Sequence, residues 1–244
     1  MVGFSGSLEG CDSRNLFDGC LIERPETATI GSFTPSPGVS FGVRSTYLKI
    51  GIIACGAIVR ELIAVANRRG WDYELTAVPA QLHNRPERIA PAVAKKLDAW
   101  ADRFDRILIG YADCGTIGAL DSLLARYPHA VRIPGPHCYE FYGGALFDQQ
   151  AERQPGTFYL TDFLAHHYEG LVIKSLGLDR RPELRDIYFG NYEELLYLRQ
   201  LPDQDESERA RAAAARLGLA YSEIDSGLDE LEQRLVELIE SEER

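Results

Sequence analysis

The sequence lacks the features that mark membrane, secreted and nucleic-acid-binding proteins. Its longest apolar run covers residues 50–59, well short of the roughly 18 to 20 residues that cross a bilayer. Its start has no basic segment followed by an apolar one, so we expect a cytoplasmic protein without a membrane partner. Lysine is scarce, with four residues, and the net charge is −11. Since no Lys/Arg cluster exceeds a pair, nucleic acid is not an expected partner.

Cysteine is also sparse, with five residues in 244. The cytosol keeps thiols reduced and a chain of this length can bury its own core, which argues against a disulfide scaffold. Metal binding or thiol chemistry is the better interpretation. The phosphate-binding patterns G-x-G-x-x-G and G-x-x-x-x-G-K-[ST] are both missing where a strand leads into a helix, so no nucleotide cofactor is indicated.

The chain divides into an extension and a patterned region. Residues 1–45 are rich in Gly, Ser, Thr and Pro and show no periodicity, which predicts a disordered N-terminal extension that includes Cys11 and Cys20. Residues 46–244 are interpreted as a single α/β domain.

Strands and helices alternate in residues 46–244. Residues 48–54, 75–78, 107–110, 131–133, 158–160, 195–198 and 219–224 are predicted strands, and stripes such as Ile89, Val93, Leu97 and Trp100 predict helices between them. A final helix carries Leu228, Leu231, Leu235 and Leu238 on one face. Because parallel strands need crossovers, this pattern predicts a doubly wound, mostly parallel sheet with helices on both faces.

Soft metal ligands follow each of the first four strands. Cys55, His83 and Cys114 come after strands one, two and three, and His137 and Cys138 come after strand four. The carboxyl ends of parallel strands meet at one edge of a sheet, so we expect these five side chains to share one region. Any single cysteine is more simply a small buried hydrophobe, but the repetition favours a shared site.

Three thiolates and one imidazole fit a zinc site, with either His83 or His137 as the imidazole ligand. Three thiolates alone also fit an iron–sulfur cluster with one open iron. We expect a metal ion, with zinc preferred over the cluster. Because the ligands come from four separate loops, a reactive metal is favoured over a purely structural one.

Other side chains stand near these ligands in the sequence. Asp113 and Glu140 are candidate catalytic residues that orient a ligating imidazole or act as a base toward metal-bound water, and helix capping is the alternative. Arg85 is a candidate clamp for a substrate anion or else a solvated loop residue. Tyr111 and Tyr139 are candidate walls of a substrate pocket, or simply pack.

These residues lie in long motifs that resemble the DUF1638 family. The motifs are residues 53–57, 82–87, 111–116, 135–141, 156–163, 177–180 and 188–192. The resemblance covers about residues 48–225. It departs from the family pattern at Ile117, which stands before Gly118. The family has no assigned function, but the resemblance implies that the gene of this protein lies beside genes of corrinoid-dependent methyltransferases. That neighbourhood suggests a role in one-carbon or methyl-group metabolism.

Three functional hypotheses follow. The first is a metal-dependent enzyme that acts on a small-molecule substrate by methyl transfer or metal-assisted hydrolysis. The second is a non-catalytic metal carrier or accessory protein whose partners are components of a corrinoid methyltransferase system. The third is a structural α/β protein with inert cysteines.

Overall fold

The strands of the protein form two sheets in the computed structural model, which describes residues 21–22, 48–100 and 102–240. The first sheet comprises β1 (Leu21–Ile22), β2 (Lys49–Cys55), β3 (Asp72–Val78), β4 (Arg106–Gly110) and β5 (Ala130–Arg132), in the order β1-β3-β2-β4-β5. The second comprises β6 (Thr157–Thr161), β7 (Glu194–Arg199) and β8 (Ala220–Asp225), in that order. All neighbouring strands are parallel except β1, which pairs antiparallel with β3.

Helices follow most of the strands. They are α1 (Val59–Arg69), α2 (Ile89–Trp100), α3 (Ala119–Leu124), α4 (Cys138–Arg153), α5 (Asp162–His166), α6 (Arg185–Phe189), α7 (Gln204–Leu217) and α8 (Asp229–Glu240). The predicted doubly wound α/β class is therefore confirmed, although the strands divide between two sheets. The division of the chain into an extension and a single domain stays a prediction.

Helices cover both faces of the first sheet. A Cβ atom added to Gly51 of β2 would meet Phe104 and Trp100 on the side of α2, whereas one added to Gly110 of β4 would meet Leu62 of α1. Both faces of these strands are thus in contact with helices, which explains why the strand sequences are almost continuously apolar.

The last helix returns to the first sheet. Leu228, Leu231, Leu235 and Ile239 of the C-terminal segment are all buried in the core of that sheet, where α8 contacts α4, β4 and β5. The predicted amphipathic helix is confirmed, with Ile239 rather than Leu238 completing the buried stripe. The second sheet has a core of its own, built from β6, β7, α5 and α7.

The predicted disordered extension is almost entirely outside the described residues, as are Cys11 and Cys20. Only β1 is described, and its two residues pair with Leu75 and Thr76. None of the described helices is both long and apolar enough to span a membrane.

Candidate functional site

The five predicted metal ligands line a single cavity of about 600 Å³. Cys55 ends β2, and the other four follow β3, β4 and β5 at the same edge of the sheet, with Cys138 as the first residue of α4. The parallel register explains this convergence, because loops that follow parallel strands emerge at one edge. The volume is in the range of small-molecule binding sites.

Two loops are tied together to present Cys114 and Cys138. The backbone N–H of Asp113 donates to the carbonyl of Gly135 at 3.0 Å, and that of Cys114 donates to the carbonyl of Pro136 at 2.9 Å. Cys114 itself has a φ of 49°, in the left-handed region that non-glycine residues rarely adopt. The β4–α3 loop therefore holds the backbone of Cys114 in a strained conformation, and such strain clusters at functional sites.

The Cys114 and Cys138 sulfur atoms lie 3.6 Å apart. Both thiols are free, and the separation is well beyond the roughly 2.05 Å of a disulfide. A hydrogen bond from the Cys138 thiol lowers the pKa of Cys114, whereas the same contact and burial raise the pKa of Cys138. Of the two thiols, Cys114 is therefore the one that ionises more readily.

Cys55 is the third thiol of this group, and it lies close enough to Cys138 for their charges to interact. Burial raises the pKa of the Cys55 thiol to about 12, against smaller lowering contributions from the Ala57 amide and the Tyr111 hydroxyl. The contact with Tyr111 is electrostatic, because it does not meet hydrogen-bond geometry. Without a cation beside it, the Cys55 thiol is therefore neutral at pH 7. A bound cation would favour its thiolate.

The two histidines lie on the exposed rim of the cavity. His83 is in a 3₁₀ turn over Ala80–Asn84, and His137 is the residue just before α4. In the part of the chain that the structure describes, no three His, Cys, Asp or Glu side chains are arranged closely enough to hold a metal ion. The Cys114 and Cys138 sulfur atoms, 3.6 Å apart, have the separation of two ligands on one ion.

Comparison with known proteins identifies the family. The family model described as "Protein of unknown function (DUF1638)" matches residues 77–235, which is more than half of the chain. The chain belongs to the DUF1638 family. No match was found among the curated proteins, and none among the solved structures. The matched part of this DUF1638 protein includes His83, Cys114, His137 and Cys138, while Cys55 precedes it.

Asp113 has a structural role in the DUF1638 chain. Its carboxylate accepts hydrogen bonds from the Thr116 hydroxyl at 2.9 Å and from the backbone N–H groups of Ile117 and Gly118 at 3.1 and 2.9 Å. These contacts lower its pKa and shape the loop that carries Cys114. The three donors precede α3, which has no side-chain cap, so Asp113 stabilises the turn before that helix, and its role as a base stays a prediction.

The remaining predicted residues are distributed around the site. Tyr139 lines the cavity, and Tyr111 is buried beneath the three thiols. Glu140 is half-buried next to Gly135, and Arg85 is exposed between two 3₁₀ turns. Of these four side chains, only Tyr139 belongs to the described cavity wall.

The far wall of the cavity comes from the second sheet and its helices. Its side chains are mainly apolar, and those from this half of the chain are Phe158, Thr161, Phe163, Leu164, Leu171, Val172, Ser175, Leu176 and Phe189. The thiols therefore face an apolar surface across the cleft, which is the arrangement expected for a site that takes a small, partly apolar ligand.

Sequence reasoning missed the burial of three carboxyl groups beside this cleft, on Glu61, Asp162 and Glu206. Asp162 accepts hydrogen bonds from the Tyr197 hydroxyl at 2.6 Å and from the backbone N–H of Leu201 at 2.8 Å. A signal was present for the two glutamates, because each lies at an apolar-stripe position of its helix. An acidic residue at a core position indicates a buried partner or a ligand.

Proposed function

We propose that this DUF1638 protein is a thiolate-metal enzyme that acts on a small molecule in one-carbon or methyl-group metabolism. The observation that carries the proposal is the Cys114–Cys138 pair, with sulfur atoms 3.6 Å apart. Two thiolates on a tetrahedral zinc ion, each about 2.3 Å from the metal, lie about 3.8 Å apart. The pair is therefore spaced for two ligands without further movement.

The third ligand would come from a rotation of the side chain of Cys55, His83 or His137, all on the same cavity wall. A bound cation would favour the Cys55 thiolate, which burial alone disfavours. The metal would supply Lewis acidity or an activated thiol, with zinc preferred over an iron–sulfur cluster. The cavity of about 600 Å³ supports a small molecule as the substrate.

The test is the metal content of full-length protein purified without oxygen, with its optical spectrum. We expect about one metal per chain, silent in the visible range if it is zinc and strongly absorbing if it is an iron–sulfur cluster. Well under one metal per chain would contradict the proposal. A Cys114–Cys138 disulfide forming in air in metal-free protein would instead indicate a dithiol redox pair.

The same preparation separates an enzyme from a carrier that serves a corrinoid methyltransferase. An enzyme should hold its metal against a mild chelator and turn over a methylated thiol or amine. A carrier should release the metal to the chelator within minutes and show no turnover.

A further inference from the structure

A second, smaller cavity of about 370 Å³ lies next to the thiol cavity. It is bounded by α1, α5 and the start of α7, and it shares Ala57, Ala80 and Phe163 with its larger neighbour. Its wall combines apolar side chains with two buried glutamates, Glu61 and Glu206.

Glu61 projects into this cavity from α1. Its side chain is 2% exposed, and its Oε2 atom has no hydrogen-bond partner among the described residues. Burial raises the pKa of this carboxyl to about 7; the Asp162 carboxylate adds to that effect, while Arg60 and the Tyr142 hydroxyl oppose it. A carboxyl in this position needs a proton or a cation, because a buried unpaired charge is costly.

Glu206 projects into the same cavity from α7 and is also 2% exposed. Its Oε1 atom lies 2.7 Å from both the His166 Nδ1 and the Arg209 Nη1 atoms. Its Oε2 atom is buried and has no partner within the described part of the chain. One oxygen of this carboxylate is therefore satisfied, while the other is an unused acceptor.

The cavity thus offers two buried carboxyl oxygens, Oε2 of Glu61 and Oε2 of Glu206, that accept no hydrogen bond within the described part of the chain. Among the basic side chains of the lining, His166 and Arg209 contact the other oxygen of Glu206, and Arg60 and His167 complete the set. Asp203 and Asp205 add further acidic groups to the lining. Burying a carboxylate oxygen without a donor costs free energy that a charged N–H group would recover.

We infer that the smaller cavity binds an organic cation with N–H donors, such as a primary alkylammonium group, between Glu61 and Glu206. The ammonium group would donate to the two Oε2 atoms, and the alkyl chain would lie along Phe163 and Val59. This binding does not require a metal at the thiols, so it stands or fails independently of the proposed function.

The first experiment is a titration of the full chain with n-butylammonium chloride at constant ionic strength. Binding is measured by calorimetry and by saturation-transfer NMR. We expect saturable binding of this ion. Tetramethylammonium, which has the charge but no N–H donor, should bind at least tenfold more weakly, and propionate should not bind. Absence of saturable butylammonium binding, or equal binding of tetramethylammonium, would overturn the inference.

Variants locate the site. Glu61→Gln and Glu206→Gln should each weaken butylammonium binding at least tenfold, since each replaces an acceptor oxygen or its charge. Glu208→Gln is the matched control, because it makes the same change at an exposed position of α7 and should leave the affinity unchanged. Unchanged binding by both cavity variants would contradict the inference. Should Glu206→Gln not fold, Glu61→Gln and the comparison of probes decide the question.

Discussion

The buried Glu61 carboxyl should make the protein lose stability as the pH rises. Its pKa in the folded chain is about 7, against an ordinary value of 4.5 for a glutamate in water. Between these two values the folded state binds more protons than the unfolded state, so the free energy of unfolding falls with increasing pH. The difference between the two pKa values corresponds to a loss of about 3 kcal/mol in the free energy of unfolding, and this loss is complete above about pH 7.

The assay is urea unfolding of the parent and of Glu61→Gln at several pH values from 4 to 8.5. The glutamine cannot ionise, so the free energy of unfolding of the variant should rise relative to the parent by about 3 kcal/mol across this range. Asp162, Arg60 and Tyr142 also act on this carboxyl, and all three are present in both proteins.

Glu208→Gln provides the control for the loss of one carboxyl, because Glu208 is exposed on α7. The difference between that variant and the parent should stay nearly constant with pH. A Glu61→Gln profile that runs parallel to the parent within about 0.5 kcal/mol would contradict a raised pKa for Glu61, because a carboxyl with an ordinary pKa produces no such slope above pH 5.

Three further predictions concern the stability of the fold, two through packing and one through hydrogen bonds. Truncation after Asp225 removes four buried aliphatic side chains, worth more than about 6 kcal/mol, and should abolish cooperative thermal unfolding; a truncated chain that melts like the parent would contradict this. Gly110→Ala places a Cβ atom 2.8 Å from Leu62 and should cost about 1 to 3 kcal/mol in urea unfolding, whereas Gly170→Ala, with open space around it, should cost less. Asp162→Asn should cost about 3 kcal/mol in the same assay. It replaces one carboxylate oxygen by an NH₂ group, which cannot accept the hydrogen bond that Tyr197 or Leu201 donates to that oxygen. A neutral result would show that these hydrogen bonds contribute little.

The sequence predicted most strands and the edge that carries the thiols. Continuous apolar runs such as residues 50–54 mark buried parallel strands wherever they pair, and Cys55 follows directly from the end of one. What the pattern does not encode is the pairing partner. Strand β6 pairs with β7 rather than joining β5, because that choice depends on contacts between distant segments.

The side-chain geometry of the site was less accessible from the sequence. The contact between Cys114 and Cys138 depends on two backbone hydrogen bonds between loops, and the positive φ of Cys114 has no sequence signature. Asp113 could be foreseen either as a cap or as a base, and the turn in which it accepts three hydrogen bonds appears only in three dimensions.

With Cys55 as the third ligand, the proposed function places the Cys55, Cys114 and Cys138 thiolates on one metal ion. The most direct test is the metal content of the three single Cys→Ser variants, purified without oxygen beside the parent protein and a Cys11→Ser control. A hydroxyl is a far poorer ligand than a thiolate for zinc or iron, so we expect a similar large loss of metal in all three variants and none in the control. Three variants that each retain the metal of the parent would contradict it.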